Sequence, residues 1–485
     1  MKLHQICAAA GLTAALAVTS AIAQEETAED SKRFTAERVF DIEYATNPQI
    51  SPDGKTIIYV RHSMDRMTDR DTGHLWIIDI ESGAQRPLLG VGGSAGAPSW
   101  SPDGSRVLYT STASGKPELK LVYMDTGLSY SLAQFTESPS GATWSPDGRN
   151  IAFSMFVPGD KPGFATPPKQ PEGAKWADPV KVIDDLTFRF DGAGYLEDGA
   201  DQVFVLPAEG GTPRQVTTGE ADMGGQAWLD NDTLLVTGNL ADDRDMDPIE
   251  SEIYSVELSN LQITPLTSRD GPDFAATPAP DGRSIAFLGY DDELKSYQQN
   301  HLYVMGPDGK SLFMLFEDHG VLTLNELDLQ GRLTQVVTGI GGTSIGRPYA
   351  GGSFSVAKSG RREQIAYTAG FTDRPAEVAT IRSDGKNGRI LTELNSDVLP
   401  YLDMAPIEEL KVASSHDGLE IEAWVALPPN FTADGSFPLI LEIHGGPFSM
   451  YGPFFASEIQ RYAAEGYVTV YVNPRGSTGY GEEFA

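Results

Sequence analysis

Residues Trp100–Thr110 read WSPDGSRVLYT, a tight turn followed by an apolar run rich in β-branched and aromatic residues. Pro presets the backbone at the second turn position, Asp bonds to nearby backbone, and Gly adopts a conformation that other residues avoid. The run that follows is typical of a β-strand. The stretch therefore predicts a β-hairpin.

The same phrase recurs along the chain and sets a repeat. Further copies are ISPDGKTIIYV from Ile50, WSPDGRNIAFS from Trp144, PAPDGRSIAFL from Pro278 and a degenerate WLDNDTLLVTG from Trp228. Turn aspartates are separated by 50 residues (Asp53 to Asp103), 44 (Asp103 to Asp147) and 51 (Asp230 to Asp281). This period suits a four-stranded propeller blade, and a closed ring hides strand edges. With later strand-like clusters, about seven units precede residue 405, which predicts an all-β, seven-bladed β-propeller over residues 24–405.

One gap in the repeat is longer than the others. Asp147 and Asp230 are separated by 83 positions, and this gap includes the Pro-rich stretch VPGDKPGFATPPKQPEGAKWADP (157–179). More strand-like sequence follows it. We interpret the gap as one blade with a long insertion.

The first residues have the features of a secretory signal peptide. Lys2 supplies the positive charge, residues 8–18 form a short apolar run, and Ala21-Ile22-Ala23 is a small-x-small cleavage site. A signal peptide at residues 1–23 predicts a periplasmic or secreted protein. Its apolar run is too short to span a bilayer, and no later stretch is longer, so no membrane span is expected.

Composition limits the remaining classes of function. The 485 residues are 40% hydrophobic and 21% charged, which indicates two or three globular domains. The net charge of −32 disfavours nucleic acid as a partner. Cys7 is the only cysteine and lies in the signal peptide, so neither a disulfide nor thiol chemistry is expected in the mature protein.

Residues 406–485 follow a different pattern. LEIEAWVALP (419–428) alternates as a half-buried strand should, and PLILEIHGG (438–446) reads as a buried strand that runs into a glycine loop. GPFFASEIQRYAAEG (452–466) predicts a helix, with Pro453 in its first turn and Gly466 at its end. YVTVYVN (467–473) is the next strand. This order predicts a parallel β-α-β unit at the start of an α/β domain.

Two motifs in this region carry a family resemblance: HGGP (444–447) and NPRGSTGYG (473–481). Together, behind the repeated SPDG turns, they resemble the opening of the α/β-hydrolase domain of the prolyl-oligopeptidase family. The branch most resembled is that of acylaminoacyl peptidases and related bacterial exopeptidases. The resemblance implies a seven-bladed propeller joined to a serine hydrolase that cleaves short peptides by acyl transfer, without a metal or other cofactor.

The resemblance also implies site residues. The backbone N–H of Gly446 would form part of an oxyanion hole, since a donor must face the oxygen that becomes negative. His444, Gly445 and Pro447 would support that loop, with His444 taking no part in proton transfer. Arg189 or Glu197 could meet a peptide terminus. A charged loop on the propeller surface is at least as good an interpretation of these last two residues.

The catalytic triad of such a hydrolase cannot be assigned. Two G-x-S-x-G strings, around Ser94 and Ser344, lie in the predicted propeller and are interpreted as turns, while Ser477 lacks the first glycine of the motif. All seven histidines precede any place where the nucleophile elbow could stand: His4, His62, His74, His301, His319, His416 and His444.

We therefore expect residues 406–485 to be the incomplete, C-terminally truncated start of an α/β-hydrolase domain. The predicted function is that of an exported serine peptidase represented here without its nucleophile. The alternative is a non-catalytic periplasmic propeller that binds proteins or peptides. Acylaminoacyl, dipeptidyl and prolyl specificity all stay open, as does the oligomeric state.

Overall fold

The computed structural model describes most of the chain after the predicted signal peptide. Residues 1–31 lie outside the described part, and so does Pro447. The described residues are 32–90, 92–159, 168–177, 182–183, 185–295, 297–305, 311–328, 330–359, 362–446 and 448–484.

Four sheets of four strands follow one another along the chain. The first contains β1 (Glu43–Ile50), β2 (Thr56–Asp65), β3 (Arg70–Asp79) and β4 (Gln85–Pro87). The second contains β5 (Ala95–Trp100), β6 (Arg106–Ser111), β7 (Glu118–Tyr123) and β8 (Ser129–Gln134). The third contains β9 (Ser140–Trp144), β10 (Asn150–Pro158), β13 (Gly199–Pro207) and β14 (Arg214–Gln215). The fourth contains β15 (Met223–Trp228), β16 (Thr233–Gly238), β17 (Glu252–Glu257) and β18 (Gln262–Pro265).

Two further sheets complete the strand series. The fifth has three described strands, β19 (Asp273–Pro278), β20 (Ile285–Gly289) and β21 (His301–Met305). The sixth holds seven strands: β22 (Ser311–Asp318), β23 (Val321–Asp328), β24 (Leu333–Ile340), β25 (Phe354–Ser359), β26 (Arg362–Ala369), β27 (Glu377–Arg382) and β28 (Arg389–Ile390). Its halves join where Ile340 pairs with Ala369. Because these halves share one sheet, the count of seven blades stays a prediction.

The insertion interrupts the third sheet, as the sequence predicts. β10 pairs with β13 across it, from Asn150 opposite Pro207 to Pro158 opposite Gly199. Between them lies a short exposed hairpin, β11 (Arg189–Phe190) and β12 (Gly194–Tyr195).

Each SPDG turn joins the first two strands of its sheet, and a buried serine holds it. In the second sheet the Ser101 hydroxyl donates to Asp103 (2.6 Å) and accepts the backbone N–H of Arg106 (2.9 Å). Ser51 and Ser145 make the same pair of bonds in the first and third sheets. The hydrogen bonds from Ser101 and Ser105 lower the pKa of Asp103 to about 2. The turn is therefore built around an ionised aspartate.

The tryptophan before the turn links one sheet to the preceding one. The indole N–H of Trp100 donates to the backbone carbonyl of Gln49 (3.0 Å), that of Trp144 to Ser99 (3.2 Å), and that of Trp228 to Thr143 (3.2 Å). The three acceptors occupy equivalent positions, since each directly precedes the first residue of the turn phrase in its own sheet. The repeated phrase thus specifies contacts between sheets as well as the turn within a sheet.

A β-bulge recurs in the first strand of each of the first five sheets. At each bulge the pairing with the second strand shifts register. A residue with positive φ lies there in every case: Asn47 (49°), Ala97 (47°), Gly141 (60°), Gly225 (59°) and Ala275 (55°). Bulges sharpen the local twist of a strand, so this repeat shapes the strands that lie side by side at the centre of the ring.

The two ends of the strand series meet. The backbone N–H of Ala45 on β1 donates to the carbonyl of Ala376 (3.0 Å). The Asn395 side chain accepts from the N–H of Glu43 and donates to its carbonyl, both at 2.8 Å. Ala45 also shares a hydrophobic cluster with Ala366 and Val378 of the last sheet. The first and last sheets therefore close the ring.

A separate four-stranded sheet begins at residue 407. It contains β29 (Ile407–Ala413), β30 (Glu420–Ala426), β31 (Leu439–Ile443) and β32 (Val468–Val472), in the order β29-β30-β32-β31. β31 and β32 are parallel and are joined by the helix α1 (Ser457–Ala464), which confirms the predicted β-α-β unit. The domain boundary at residues 405 and 406 stays a prediction. Within the described residues, no helix is long and apolar enough to cross a membrane.

The predicted start of this helix at Pro453 is wrong. α1 begins at Ser457, because the residues before it pack against the propeller instead. Phe454 lies where a Cβ on Gly341 would be only 2.3 Å from its ring. The N–H of Phe455 donates to the carbonyl of Phe371 (2.6 Å). The predicted end is confirmed, since Gly466 has a φ of +90° and its N–H donates to the Ala463 carbonyl.

The exposure of two strands also differs from expectation. β30 is buried on both faces rather than one from Glu422 to Ala426, and its Trp424 and Ala426 pack in one cluster with Ile459 and Ala463 of α1. β31 is an edge strand, and its outer face is open: Leu439, Leu441 and Ile443 are 64%, 53% and 57% exposed. Within the described residues, the sheet is therefore left uncovered on this face at its β31 edge.

Candidate active site

The two motif loops start side by side. β31 pairs in parallel with β32, with Ile443 opposite Val472. His444 follows the first strand and Asn473 follows the second, so both loops leave the same edge of the sheet. In open α/β sheets ligands bind at the carboxyl ends of the strands.

Gly446 has the geometry expected of an oxyanion-hole residue. It is exposed, and its φ is +142°, which favours glycine. A Cβ at this position would lie 2.7 Å from the backbone nitrogen of Phe448. Among the described hydrogen bonds none uses the Gly446 N–H. An exposed backbone donor of this kind, with no partner among the described residues, can stabilise a developing negative charge.

His444 is buried beneath this loop and makes two polar contacts. Its Nδ1 lies 2.9 Å from the carbonyl oxygen of Gly445, and its Nε2 lies 2.8 Å from the Ser477 hydroxyl. The same hydroxyl lies 2.6 Å from the carbonyl of Pro474. Because a backbone carbonyl rather than a carboxylate faces Nδ1, this pair lacks the orienting acid of a triad. The contacts brace one motif loop against the other.

Asn473 and Tyr480 fix the second loop. The buried side chain of Asn473 accepts the N–H of Tyr451 and donates to its carbonyl, both at 2.9 Å, and also donates to the Tyr480 hydroxyl (2.8 Å). Tyr480 in turn donates to Glu422 on β30. Burial raises the pKa of Glu422, and burial together with this hydrogen bond raises the pKa of Tyr480. The network ties both loops to the central strand.

The propeller reaches over the HGG loop from one side. Tyr297, which lies between β20 and β21, stacks on Phe448 with ring centroids 5.3 Å apart. The N–H of Gln299 donates to Glu482 (2.9 Å), and Lys295 forms an ion pair with Glu482 (3.6 Å). Sequence reasoning missed Tyr297, because nothing in its local sequence indicates the fold-level contact.

A second, buried set of contacts attaches the propeller on another side. Tyr451 packs against Tyr349, with ring centroids 4.8 Å apart, and Arg347 pairs with Glu458 on α1 (2.9 Å). The loop that contains these two propeller residues also accepts the N–H of Ser457 at Ile345. The candidate site therefore lies between two zones of contact with the propeller.

The remaining predicted residues lie elsewhere. Arg189, on β11, and Glu197, just after β12, are exposed on the hairpin of the insertion. No described hydrogen bond or ring contact joins that hairpin to residues 444–446. Ser94 precedes β5 and Ser344 lies between β24 and β25, so neither is on a strand-to-helix elbow. Among the described residues, no group of three His, Cys, Asp or Glu side chains could hold a metal ion.

Two family models match the chain. The TolB beta propeller domain matches residues 41–161, and the prolyl oligopeptidase family matches residues 453–485. The first match covers the sheets with the most regular turn phrase. The second covers α1, β32 and the second motif loop.

Related proteins cover nearly the whole chain. Uncharacterized peptidase YuxL of Bacillus subtilis is 28% identical over 93% of this chain and 72% of its own length. Dipeptidyl-peptidase 5 of Porphyromonas gingivalis is 22% identical over 93% of this chain and 69% of its own. Among solved structures, acylaminoacyl peptidase of Pyrococcus horikoshii matches with a TM-score of 0.72 and 19% identity, over 93% of this chain and 69% of that one. These relatives are peptidases, and the structural match shows the shared fold. The resemblance predicted from the two motifs is thereby confirmed: the chain is similar to peptidases, and residues 453–485 match the prolyl oligopeptidase family.

Proposed function

We propose that the protein is an exported serine peptidase that hydrolyses short peptides by acyl transfer, with the Gly446 N–H in its oxyanion hole. The observation that carries the proposal is the exposed Gly446, whose N–H has no partner among the described hydrogen bonds and whose loop is braced by the contact of His444 with Ser477. The family match and the peptidase relatives support the reaction class.

In this mechanism a serine attacks the scissile carbonyl with the help of a histidine, and water hydrolyses the acyl-enzyme. The Gly446 N–H donates to the oxygen that becomes negative in the tetrahedral intermediate. We propose that residues outside positions 1–485 supply the serine, the acid and the histidine. The motif loops described here would supply only the electrostatic part of the site.

The propeller is proposed to have seven blades and to restrict entry to small or unfolded peptides. Two contacts support this proposal: Tyr297 stacks on Phe448, two residues after Gly446, and Lys295 pairs with Glu482 after the second motif loop. Rates on peptides from 4 to about 40 residues would be compared before and after cleavage of the propeller by limited proteolysis. Unchanged length selectivity would contradict a gating role.

Export is proposed from residues 1–23. Amino-terminal sequencing of the protein recovered from the periplasm or medium should begin at Gln24. A protein retained in the cytosol with residues 1–23 intact would contradict export.

The experiment that tests the peptidase proposal uses the product of the native gene. Purified protein would be assayed on acylated, free dipeptidyl and prolyl chromogenic peptides, beside the chain that ends at Ala485. We expect hydrolysis by the native product alone. Gly446→Ala keeps the backbone N–H, but alanine does not readily adopt the φ of +142° and its Cβ would lie 2.7 Å from the nitrogen of Phe448, so the donor should be displaced. We expect kcat to fall by about 100-fold, since loss of an oxyanion donor costs roughly 10²–10³. Absence of hydrolysis of all three classes by the native product would contradict the proposal.

A second candidate is a propeller that binds peptides without catalysis. It is favoured by one observation: in residues 406–446 and 448–484 the described Ser–His contact, Ser477 with His444, lacks a carboxylate. If the native product binds unfolded peptides but hydrolyses none of them, this candidate replaces the first.

A further inference from the structure

A second histidine, His62, has the carboxylate partner that His444 lacks. In the first sheet, Nδ1 of His62 lies 2.8 Å from a carboxylate oxygen of Asp71. On the other side of the imidazole, Nε2 of His62 lies 2.8 Å from the hydroxyl of Thr46. The three residues come from β1, β2 and β3, so strand pairing sets their positions. A hydroxyl, an imidazole and a carboxylate are thus hydrogen-bonded in series.

The order of these contacts fixes the direction of the proton. A carboxylate only accepts, so Nδ1 of His62 carries the proton that Asp71 binds. In the neutral ring Nε2 is then an acceptor, and the Thr46 hydroxyl donates to it. This is the arrangement in which an imidazole acts as a general base towards a hydroxyl.

Tyr44 holds the series in place. Its ring stacks on His62 with centroids 4.4 Å apart, and its hydroxyl donates to the same Asp71 carboxylate. Burial and the neighbouring carboxylate raise the pKa of Tyr44, so this hydroxyl stays a donor across the physiological range. Tyr44 therefore covers one face of the His62 imidazole. It also bonds to Asp71, the carboxylate that orients this imidazole through Nδ1.

The hydroxyl opens into a cavity. Thr46 lines a pocket of about 390 Å³ together with Asn47, Ser94, Thr343 and Ser353. Both G-x-S-x-G strings of the sequence contribute to it, the first through Ser94 and the second through Thr343. Asn47, the neighbour of Thr46 on β1, also lines this pocket and carries a side-chain amide. Asn and backbone N–H groups are the donors that stabilise oxyanions in acyl transfer.

We propose that Thr46, His62 and Asp71 form a nucleophilic site in the propeller that reacts with small activated carboxylic esters. The Thr46 Oγ forms a bond to the acyl carbon while its proton moves to Nε2 of His62. The ester C–O bond breaks, and the departing alkoxide takes that proton. His62 then takes a proton from water, and the resulting hydroxide bonds to the acyl carbon. The bond between the acyl carbon and Thr46 Oγ breaks, the proton on His62 returns to Oγ, and the carboxylic acid leaves. This site is independent of the proposed peptidase function.

The test is covalent labelling of the full chain with a fluorophosphonate probe, followed by peptide mapping. In this reaction the Thr46 oxygen bonds to phosphorus, the P–F bond breaks, fluoride leaves and the proton goes to His62. We expect the tag on Thr46. Thr46→Ser should keep the labelling rate within about threefold, while Thr46→Val, His62→Gln and Asp71→Asn should each lower it by roughly 10²-fold or more, given the typical worth of a general base.

Two matched controls separate the site from general reactivity. His319 also faces a carboxylate through Nδ1, at 2.6 Å from Asp318, so His319→Gln removes a comparable pair elsewhere. Thr277 lies on the first strand of another sheet, so Thr277→Val removes a comparable hydroxyl. Both variants should label at the wild-type rate. Thermal unfolding by circular dichroism checks that each variant is folded.

Hydrolysis of 4-nitrophenyl acetate gives a second readout. Its rate should rank the variants in the same order as the labelling rate does. A tag on Ser94 or any other residue would overturn the proposal, and so would complete absence of labelling. Because mapping is done on the wild-type chain, a variant that fails to fold does not prevent the decision. The peptidase proposal is unaffected by either result, since it concerns peptide hydrolysis by the native gene product.

Discussion

Different kinds of contact stabilise the propeller and the α/β part. In the propeller, one short phrase supplies a turn, a buried serine and an indole bond to the preceding sheet, and the phrase is repeated. In the α/β part, single long-range contacts such as Asn473 with Tyr451 do this work. Repetition spreads stability over many equivalent contacts, whereas a unique network concentrates it in a few buried polar groups.

The largest effect is expected from breaking one repeat of the propeller. Trp144 is buried, lies under Arg106 at 4.9 Å from ring to guanidinium, and bonds to Ser99. Trp144→Ala should destabilise the propeller by about 3–5 kcal/mol, since it removes a large buried aromatic side chain. Urea unfolding followed by circular dichroism measures this change. Trp176→Ala is the control, because Trp176 is 48% exposed and should cost little; equal losses would contradict the role of the indole.

A smaller, local effect is expected from the α/β part. Asn473→Ala leaves the buried N–H and carbonyl of Tyr451 without their partner, which costs about 1–3 kcal/mol. Hydrogen exchange should become faster around residues 444–480 and stay unchanged in the propeller strands. Asn430→Ala, on an exposed turn of the same part of the chain, is the control. Faster exchange throughout the propeller would show that the two regions unfold as one unit.

The sequence predicts the propeller better than the site for a physical reason. Turn chemistry is local, so SPDG followed by an apolar run is enough to place a hairpin. The start of α1 could not be predicted in this way, because Phe454 and Phe455 are recruited by distant propeller residues such as Gly341 and Phe371. The exposure of β31 likewise depends on its place at the sheet edge.

The site was predictable only in part for the same reason. Gly446 was identified through a motif whose glycine geometry is local. Tyr297 over Phe448, and His62 between Thr46 and Asp71, arise from chain folding over tens to hundreds of residues. No spacing in the sequence indicates these contacts.

The smallest effect concerns acid stability of the turns. The pKa of Asp103 is lowered to about 2, below the roughly 3.9 of an unfolded aspartate. A depressed pKa adds stability that is fully present above the unfolded value and is lost as pH falls from about 4 through 2. Because Asp103 is exposed, the contribution should stay below about 1 kcal/mol. Urea midpoints at pH 6 and pH 3 should differ less in Asp103→Asn than in wild type, and Asp281→Asn, in the turn with no preceding serine, should change this difference less.

The contrast between the two regions is tested most directly by native-state hydrogen exchange across the whole chain. We expect slow exchange, with similar opening free energies, in the buried strands of the closed ring, and faster exchange in β31, whose outer face is exposed. Exchange in β31 as slow as in the buried β2 and β6, or fast exchange confined to the propeller, would contradict it.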